Sequence, residues 1–298
     1  MIIIIENGQF GNQLFQFNFC LKVAKSNEKI IFVGFDNLSK FIKKNNKFFF
    51  YKKKNFVIKF IIRFRFFVIN TVNKFKITKT IIQYDNGNNI LKQKGLFNFL
   101  TFVDGHFENE KFIKRNLIRY IKKPQIEYRA KKYLKLLKKN EKQKVFFIQI
   151  RLTDAIFGID KKYPSVVPLS WFFRCKDILK KIYKNSLVIF ISDDTNFLKK
   201  NLKRNEIYLK NTDPFFNFYI MKNCDGGILS PSTFAWWAAY LSTKKKFLAP
   251  KYWHGHRKKV FRPHDFKTSF LSYKSVKKSE YLNQIRNEKK FYNVLPFK

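Results

Sequence analysis

Acidic residues are scarce in this chain of 298 residues. It contains 20 Asp and Glu against 62 Lys and Arg, which gives a formal net charge of +42. Such an excess is typical of proteins that bind anions, among them nucleic acid, anionic lipid and phosphorylated small molecules. The charge alone does not show which of these partners is bound. A composition rich in Lys, Asn, Ile and Phe also arises from AT-biased coding, and much of the lysine would then simply be solvated surface.

Cysteine and long apolar runs are scarce as well. The three cysteines lie far apart without C-x-x-C spacing, which argues against a disulfide or zinc framework and favours free thiols in a reducing compartment. No run of about eighteen uncharged apolar residues occurs, so no transmembrane helix is expected. The apolar run after Met1 is short and has no basic segment before it, which predicts a strand and not a signal peptide. We therefore expect a cytoplasmic globular protein.

Strand-like and helix-like segments alternate along the chain. IIII predicts a buried strand, LFQFNFCLKVAKS a helix and KIIFVGF the next strand. Later, KVFFIQI, LVIFIS, GGILS and KKFLAP alternate with helical segments, one of which is predicted to begin at Ser170. This alternation predicts an α/β fold with parallel sheets covered by helices on both faces. A polar run at 135–144 predicts a boundary between domains 1–140 and 141–298.

No acidic residue occurs between Asp36 and Asp85, an interval that holds thirteen Lys and Arg interleaved with aromatic residues. Basic amphipathic helices with phenylalanine on one face lie at membrane interfaces, so residues 40–79 are a candidate surface for an anionic membrane or a lipid-linked acceptor. The protein would then be peripheral at the inner face of the cytoplasmic membrane. The alternative is an ordinary amphipathic helix whose Phe side docks on the core.

Polar groups follow several predicted strands, where ligands collect in open α/β sheets and where helix N-termini bind anions. In the loop NGQFGNQ, Gly8 and Gly11 allow a ligand to approach the backbone closely, and Asn12 and Gln13 offer amide groups. The simpler alternative is a glycine turn with an asparagine cap.

A second polar group follows KVFFIQI. Arg151 leaves the end of that strand, and its guanidinium can bind a diphosphate in bidentate fashion. Asp154, three residues on, can hold this arginine or take up a proton. A salt bridge between the two side chains is the simpler alternative.

Two more groups stand at predicted helix starts. Ser192, Asp193 and Asp194 follow LVIFIS, where they can cap the next helix, bind a metal or accept hydrogen bonds from a nucleobase. Ser232 or Thr233 opens TFAWWAAYLS, whose first N–H groups would face the same ligand as the arginine, and capping is again the simpler account. The two tryptophans of that segment are predicted core residues.

Taken in order, these motifs resemble glycosyltransferase family 11, the α-1,2-fucosyltransferases, and more distantly other GDP-fucose-dependent fucosyltransferases. GQFGNQLFQ is similar to the family's G-x-[FL]-G-N-Q-[LM]-F-Q, and IQIRLTD stands where the family has H-x-R-R-[GT]-D. ISDD matches F-S-D-D, and MKNCDGGILSPSTFAWWAAYL resembles M-x-x-C-x-x-x-I-x-x-N-S-T-F-S-W-W-x-A-Y-L. APKYW stands at the family's A-P-x-x-W. The resemblance spans most of the chain, with no motif to compare over roughly 37–135.

The resemblance implies a GT-B fold, in which two Rossmann-like domains face a cleft, with the acceptor side in 1–140 and the GDP-sugar site in 141–298. It implies inverting transfer of L-fucose from GDP-β-L-fucose to a hydroxyl, galactose O2, of a surface-glycan acceptor, either an oligosaccharide or a lipid-linked glycan of lipopolysaccharide or capsule biosynthesis. It implies no metal and no cofactor, since the GDP-sugar is a substrate. His254, His256 and His264 lack a matching carboxylate cluster, so no metal site is expected there.

The resemblance also implies roles for individual residues. Arg151 would bind the pyrophosphate, Asn12 would reach the reacting centre from the first domain, and Asp154 is the one candidate base. The implied donor-binding residues are Gly11, Gln13, Gln149, Arg151, Ser192, Asp193, Asp194, Ser232, Thr233 and Phe234.

The chain departs from the family pattern at two positions. Gln149 replaces the motif's histidine and Leu152 its second arginine, so one fixed cation is missing. Loss of a charge-assisted phosphate contact costs about 1.5–3 kcal/mol unless Lys161 or Lys162 compensates.

Three alternatives therefore stay open. The donor can be another GDP-6-deoxyhexose or another nucleotide sugar, or the chain can be an inactive relative. It can also be a basic nucleic-acid- or membrane-binding protein on an inactive glycosyltransferase scaffold. Nucleic acid is the least favoured partner, because binding a phosphate backbone requires only dispersed lysines and not strand-end motifs.

Overall fold

The computed structural model describes residues 1–83, 90–113, 117–122, 125–152, 166–210, 213–244, 246–253 and 268–286. The chain divides into two compact units, the first holding the described residues up to 122 and the second those from 125 onward. The helix at 125–137 thus belongs to the second unit, whereas the polar run had predicted a boundary after 140. The assignment of the two units to acceptor and donor stays a prediction.

The first unit contains a six-stranded sheet. Its strands are β1 (Ile2–Ile5), β2 (Ile30–Val33), β3 (Phe48–Tyr51), β4 (Thr78–Gln83), β5 (Ile90–Gln93) and β6 (Phe97–Asp104). They lie in the order β3-β2-β1-β6-β4-β5, and all neighbours are parallel except β4 and β5. The chain builds outward from β1 to β3 and then continues on the other side of β1, so the strand order reverses between β1 and β6.

Helices cover both faces of this sheet, as the sequence predicted. They are α1 (Phe10–Val23), α2 (Asp36–Phe41), α3 (Phe56–Arg63) and α4 (Arg65–Lys74). Phe17 of α1 packs against Phe32, with ring centroids 5.4 Å apart. The next residue of that strand, Val33, points to the opposite face, where it clusters with Ile58 of α3 and Ile69 of α4.

The basic segment 40–79 contains β3, α3 and α4. Aliphatic side chains of the two helices dock on the sheet, while their phenylalanines are exposed; Phe56 and Phe67, for example, retain 80% and 70% of their surface. The expectation that the Phe side docks on the core is therefore wrong for α3 and α4. Among the described residues, no helix combines the length and the apolar character needed to cross a membrane.

The second unit contains another six-stranded sheet, with every neighbouring pair parallel. Its strands are β7 (Lys144–Ile150), β8 (Ser186–Ser192), β9 (Ile207–Tyr208), β10 (Gly226–Leu229), β11 (Phe247–Pro250) and β12 (Leu271–Lys274), in the order β12-β11-β10-β7-β8-β9. Its helices are α5 (Gln125–Leu137), α6 (Leu169–Ile182), α7 (Thr195–Asn201), α8 (Pro214–Asn223), α9 (Thr233–Tyr240) and α10 (Lys278–Arg286). The strand order reverses between β7 and β10, so both units have the Rossmann-like arrangement that the sequence predicted.

The core confirms two smaller predictions and corrects a third. Trp236 and Trp237 are fully buried. All three cysteines are free and buried. Burial raises the pKa of each thiol, and the pKa of Cys175 is raised to about 12. Helix α6 begins at Leu169 after Pro168, so Ser170 lies inside its first turn and does not open it.

Candidate functional site

Arg151 lies where the strand order of the second sheet reverses. Its backbone N–H donates to Ser230 Oγ (3.0 Å), and its Nη1 donates to the carbonyl oxygen of Pro231 (3.0 Å). Ser230 Oγ in turn donates to the carbonyl oxygen of Gln149 (2.8 Å). These bonds join the carboxyl ends of β7 and β10 and hold the guanidinium beside the turn that leads into α9. Open α/β sheets bind their ligands at such a reversal point.

Helix α9 begins beside this arginine. Ser232 is its N-cap, and Ser232 Oγ accepts from the N–H of Ala235 (3.5 Å), so the capping prediction is confirmed for this residue. Thr233 and Phe234 are half-buried in the first turn, and Phe234 packs edge-on against Phe218. The first N–H groups of a helix lack intrahelical partners and carry a partial positive charge. Together with the guanidinium they form an arrangement suited to an anion.

The end of β8 completes this edge of the sheet. Asp194 caps α7 by accepting from the N–H of Phe197 (2.9 Å), which confirms the capping account for one of the three predicted residues. Asp193 Oδ1 accepts from the N–H of Leu152 (2.9 Å), while Ser192 Oγ accepts from the N–H of Asp194 (3.1 Å). Because β10, β7 and β8 are parallel neighbours, the structure places the predicted residues after these strands at one edge of the second sheet.

The two departures from the family motif occupy buried positions. Gln149 is 6% exposed, and its Oε1 accepts no hydrogen bond from any described residue. Unpaired buried oxygens are uncommon in native proteins and call for a partner, such as a ligand or water. Leu152 is fully buried in a cluster with Trp171 and Phe172, so its position belongs to the core.

Several predicted residues lie outside the part of the chain that the structure describes. They are Asp154, Lys161, Lys162, His254, His256 and His264. Within the described ranges, no group of three or more His, Cys, Asp or Glu side chains is placed to hold a metal ion.

In the first unit, the predicted glycine-rich loop is shorter than the sequence suggested. Helix α1 begins at Phe10 with Gln9 as N-cap, so Gly11, Asn12 and Gln13 lie in its first turn and Asn12 is not a cap. Gly8 has φ of +88°, and a Cβ there would lie 2.4 Å from Asn12 Nδ2. Gly8 is therefore required both by the turn and by the side chain of Asn12.

Gln13 is bonded within the protein. Its Nε2 donates to Glu6 Oε2 (3.0 Å), and its Oε1 accepts from the N–H of Leu38 (3.3 Å). Burial raises the pKa of Glu6, an effect that Lys53 opposes and Asp36 reinforces. Gln13 thus links the end of β1 to α2, and its predicted contact with a donor stays a prediction.

His106 lies beside this turn, in the segment that follows β6. Its Nε2 is 3.2 Å from Asn7 Nδ2, and its Nδ1 is 3.4 Å from Asn12 Nδ2. A neutral imidazole has one N–H and one lone pair, so it can accept a hydrogen bond from only one of these two amide groups at a time. Because β1 and β6 are neighbours, the histidine lies at the strand-order reversal of the first sheet.

The surroundings of His106 favour its neutral form. Burial lowers its pKa, the Arg65 cation lowers the pKa further, and Asp104 opposes both effects. Arg65 donates to Asp104 Oδ1 through Nε (3.1 Å) and Nη2 (2.9 Å), which fixes the end of β6. The sequence interpretation missed this histidine. The available signal was its position directly after an apolar strand segment, in FLTFVDGH.

Comparison with known structures supports the fold. A family 9 glycosyl transferase from Veillonella parvula aligns with a TM-score of 0.52 at 11% identity, covering 96% of this chain and 90% of that one. The NodZ alpha-1,6-fucosyltransferase aligns with a TM-score of 0.47 at 13% identity, over 81% of this chain and 92% of that one. The alignment with the family 9 enzyme and the two α/β units confirm the predicted α/β fold of GT-B type, with two Rossmann-like domains.

Comparison of sequences identifies the family. The O-antigen biosynthesis glycosyltransferase WbnK of Escherichia coli is 22% identical over 99 residues, which make up 31% of this chain and only about a third (33%) of WbnK. The model of the family described as "Glycosyl transferase family 11" matches residues 112–264, just over half of the chain. That range includes Arg151, Asp193, Asp194 and Ser232. The chain therefore belongs to glycosyl transferase family 11.

Proposed function

We propose that this protein is an inverting glycosyltransferase that moves L-fucose from GDP-β-L-fucose to a hydroxyl, galactose O2, of a surface-glycan acceptor. The observation that carries the proposal is the position of Arg151 beside the first turn of α9, at the strand-order reversal of the second sheet. Family membership and the O-antigen relative support the reaction class and the kind of acceptor.

The donor would bind at the carboxyl edge of the second sheet. Its pyrophosphate would meet the guanidinium of Arg151 and the first turn of α9 at Thr233 and Phe234, because a cation and the positive end of a helix dipole both favour anions. Asp193 and Asp194 are predicted to lie beside the nucleoside. This role fits their position at the end of β8, the strand next to β7, which leads into Arg151.

The proposed reaction requires the protein to stabilise GDP as the leaving group. The acceptor oxygen forms a bond to the anomeric carbon, the bond between that carbon and the β-phosphate oxygen breaks, and GDP departs with the electron pair. A fixed guanidinium and a helix N-terminus stabilise the charge that develops on GDP, so this scheme needs no metal ion.

The acceptor proton needs a base, and the chain offers two candidates. Asp154 follows the arginine motif, and its role stays a prediction. His106 is supported by its lowered pKa, which keeps the imidazole neutral and able to take up a proton at neutral pH. We propose that Asn12 and His106 bind the acceptor hydroxyl and that His106 receives its proton.

A different nucleotide sugar is the second candidate donor. It is favoured by the buried Leu152, which supplies no cation, and by the buried Gln149 Oε1, which accepts no hydrogen bond from the described residues. Such an acceptor atom can discriminate between bases or sugars that present different N–H and O–H groups.

A thermal-shift screen against GDP-, UDP- and CMP-sugars tests the assignment. We expect GDP-β-L-fucose to raise the melting temperature most, because a ligand bound to the native state stabilises it by mass action. The best ligand is then incubated with galactose-terminated oligosaccharides, and the release of GDP and the new linkage are measured. Stabilisation by UDP- or CMP-sugars alone would overturn the choice of donor, and failure of every nucleotide sugar to bind would overturn the function.

A further inference from the structure

The exposed phenylalanines of α3 and α4 form a surface that the proposed reaction does not use. We define this aromatic face by Phe56, Phe60, Phe64, Phe66 and Phe67, which retain 80%, 53%, 43%, 70% and 70% of their surface. We propose that the aromatic face binds the interface of an anionic phospholipid bilayer. The proposal is independent of which sugar the enzyme transfers.

The helical periodicity of α3 places its phenylalanines on the side that faces away from the core. In α3, Ile58 is buried and Ile61 and Ile62 pack on the sheet, which places Phe56 and Phe60, four residues apart, on the opposite side. The rings of Phe60 and Phe64 lie 4.4 Å apart. The inward side of the helix is thus already filled with aliphatic residues, and its outward side is apolar as well.

Both helices are held in place by contacts within the unit. Asn55 caps α3 by accepting from the N–H of Val57 (2.8 Å). Arg65 anchors the start of α4 through its ion pair with Asp104 at 2.9 Å. The aromatic face is therefore presented by folded helices, and binding does not require a disordered segment to become ordered.

The charge around the aromatic face selects the kind of partner. Lys54, Lys59 and Arg63 are exposed at or within two residues of α3, and the sequence between Asp36 and Asp85 contains no acidic residue. Rings that enter the acyl boundary, flanked by cations at the level of the headgroups, fit an anionic bilayer. A second copy of this chain would bring like charges together, and a nucleic-acid duplex would pair with the cations but leave the rings in water.

Large exposed apolar side chains also occur at Leu96, Phe97 and Phe99 of the first unit, whereas those described in the second unit are few. In the second unit they include Tyr128, Leu136 and Ile182, with exposed fractions of 68%, 75% and 66%. Isolated residues of this kind are ordinary on protein surfaces, whereas a contiguous apolar surface marks an interaction site. These three residues therefore serve as matched controls.

Co-sedimentation with vesicles tests the proposal on the full chain. We expect binding to phosphatidylcholine vesicles that contain 30% phosphatidylglycerol, and loss of that binding in the triple variant Phe56→Ser, Phe60→Ser, Phe67→Ser. The control Tyr128→Ser, Leu136→Ser, Ile182→Ser should bind like wild type. Replacing Lys54, Lys59 and Arg63 by Gln should weaken binding about a hundred-fold, since each basic residue near the surface contributes about five-fold. The same change at the exposed Lys199, Lys200 and Lys203 should have little effect.

Tryptophan fluorescence provides a second test, which detects insertion of the aromatic face into the bilayer directly and does not depend on variants that lose binding. The four native tryptophans include Trp171, Trp236 and Trp237, which are fully buried, and Trp253, which is 3% exposed. A Phe60→Trp variant should shift its emission to the blue with anionic vesicles and be quenched by brominated lipid, whereas Leu136→Trp should do neither. Equal binding by the aromatic and control triple variants would overturn the proposal. So would a concentration-dependent dimer that the Phe→Ser changes dissociate, because the face would then bind a second copy.

Discussion

Both sheets reverse their strand order once, the first between β1 and β6 and the second between β7 and β10, but they present different chemistry at that point. In the first, the reversal point carries His106, whose two ring nitrogens contact the side-chain amides of Asn7 and Asn12. In the second, it carries Arg151, whose guanidinium contacts a backbone carbonyl beside a helix N-terminus. A neutral group suits proton transfer, while a fixed cation and a helix dipole suit phosphate. This difference agrees with the proposal that the first unit binds the acceptor and the second the donor, which stays a prediction.

The largest effect on this comparison of the two reversal points is expected when the family's second arginine is restored in the second unit. Leu152→Arg places a cation in the fully buried cluster around Trp171, where the cost of burying an unpaired ion is several kcal/mol. We expect the variant to be largely unfolded or to lose most of its cooperative transition in urea. A Leu152→Met variant, which keeps the volume, should lose less than about 1.5 kcal/mol. A stable Leu152→Arg protein with tighter GDP binding would show that this position faces the donor.

Replacement of His106 tests the role of the first unit. His106→Gln can still hydrogen bond to Asn7 and Asn12 but cannot accept the acceptor proton. We expect kcat to fall by about 10²- to 10⁴-fold, the usual contribution of general base catalysis, with GDP affinity unchanged. Initial rates and a GDP titration on the same preparation give both values. A normal kcat would remove His106 from the mechanism and leave Asp154 as the candidate base.

The caps of α9 and α8 allow a matched test in the second unit. Ser232→Ala and Asp213→Ala each remove an N-cap, so each should lower the free energy of unfolding by about 1 kcal/mol. The proposed donor site lies at α9 alone, so only Ser232→Ala should weaken binding of the GDP-sugar. Urea denaturation and calorimetry measure the two effects. Equal loss of affinity in both variants would mean that α9 has no special role.

The smallest expected effect concerns pH. Because the pKa of His106 is lowered in the folded protein, the unfolded chain takes up the proton first as pH falls. Protonation then favours unfolding. The contribution of neutral His106 to the free energy of unfolding is therefore present above the usual histidine pKa of 6.5 and is lost as pH falls through and below it. Urea denaturation between pH 5 and 8 should show that the free energy of unfolding falls more steeply with decreasing pH in wild type than in His106→Asn. Parallel curves would mean that the histidine titrates normally.

The sequence predicted the features that are encoded locally. The run of four isoleucines predicted β1, the apolar strand before Arg151 placed it at a sheet edge, and Asp194 and Ser232 were recognised as caps. Each depends on neighbours within a few residues, where propensity and capping chemistry act.

Features that depend on distant contacts were missed. α1 begins at Phe10 although Gly11 and Asn12 are poor helix formers, because burial of this first turn overrides propensity. His106 reaches the site only because β6 pairs with β1, a long-range register that no local pattern reveals. For the phenylalanines of α3 the sequence left both a membrane-facing and a core-facing side open, because Phe and Ile are both apolar and only the sheet shows which side is buried.

The central claim is that Arg151 holds the donor pyrophosphate, and a calorimetric titration with GDP tests it most directly. Arg151→Ala should weaken GDP binding by about 1.5–3 kcal/mol, or roughly ten- to a hundred-fold, because a charge-assisted contact to phosphate is lost. The exposed Arg204→Ala variant serves as the control for loss of one positive charge and should bind like wild type. Unchanged GDP affinity in Arg151→Ala would contradict the account.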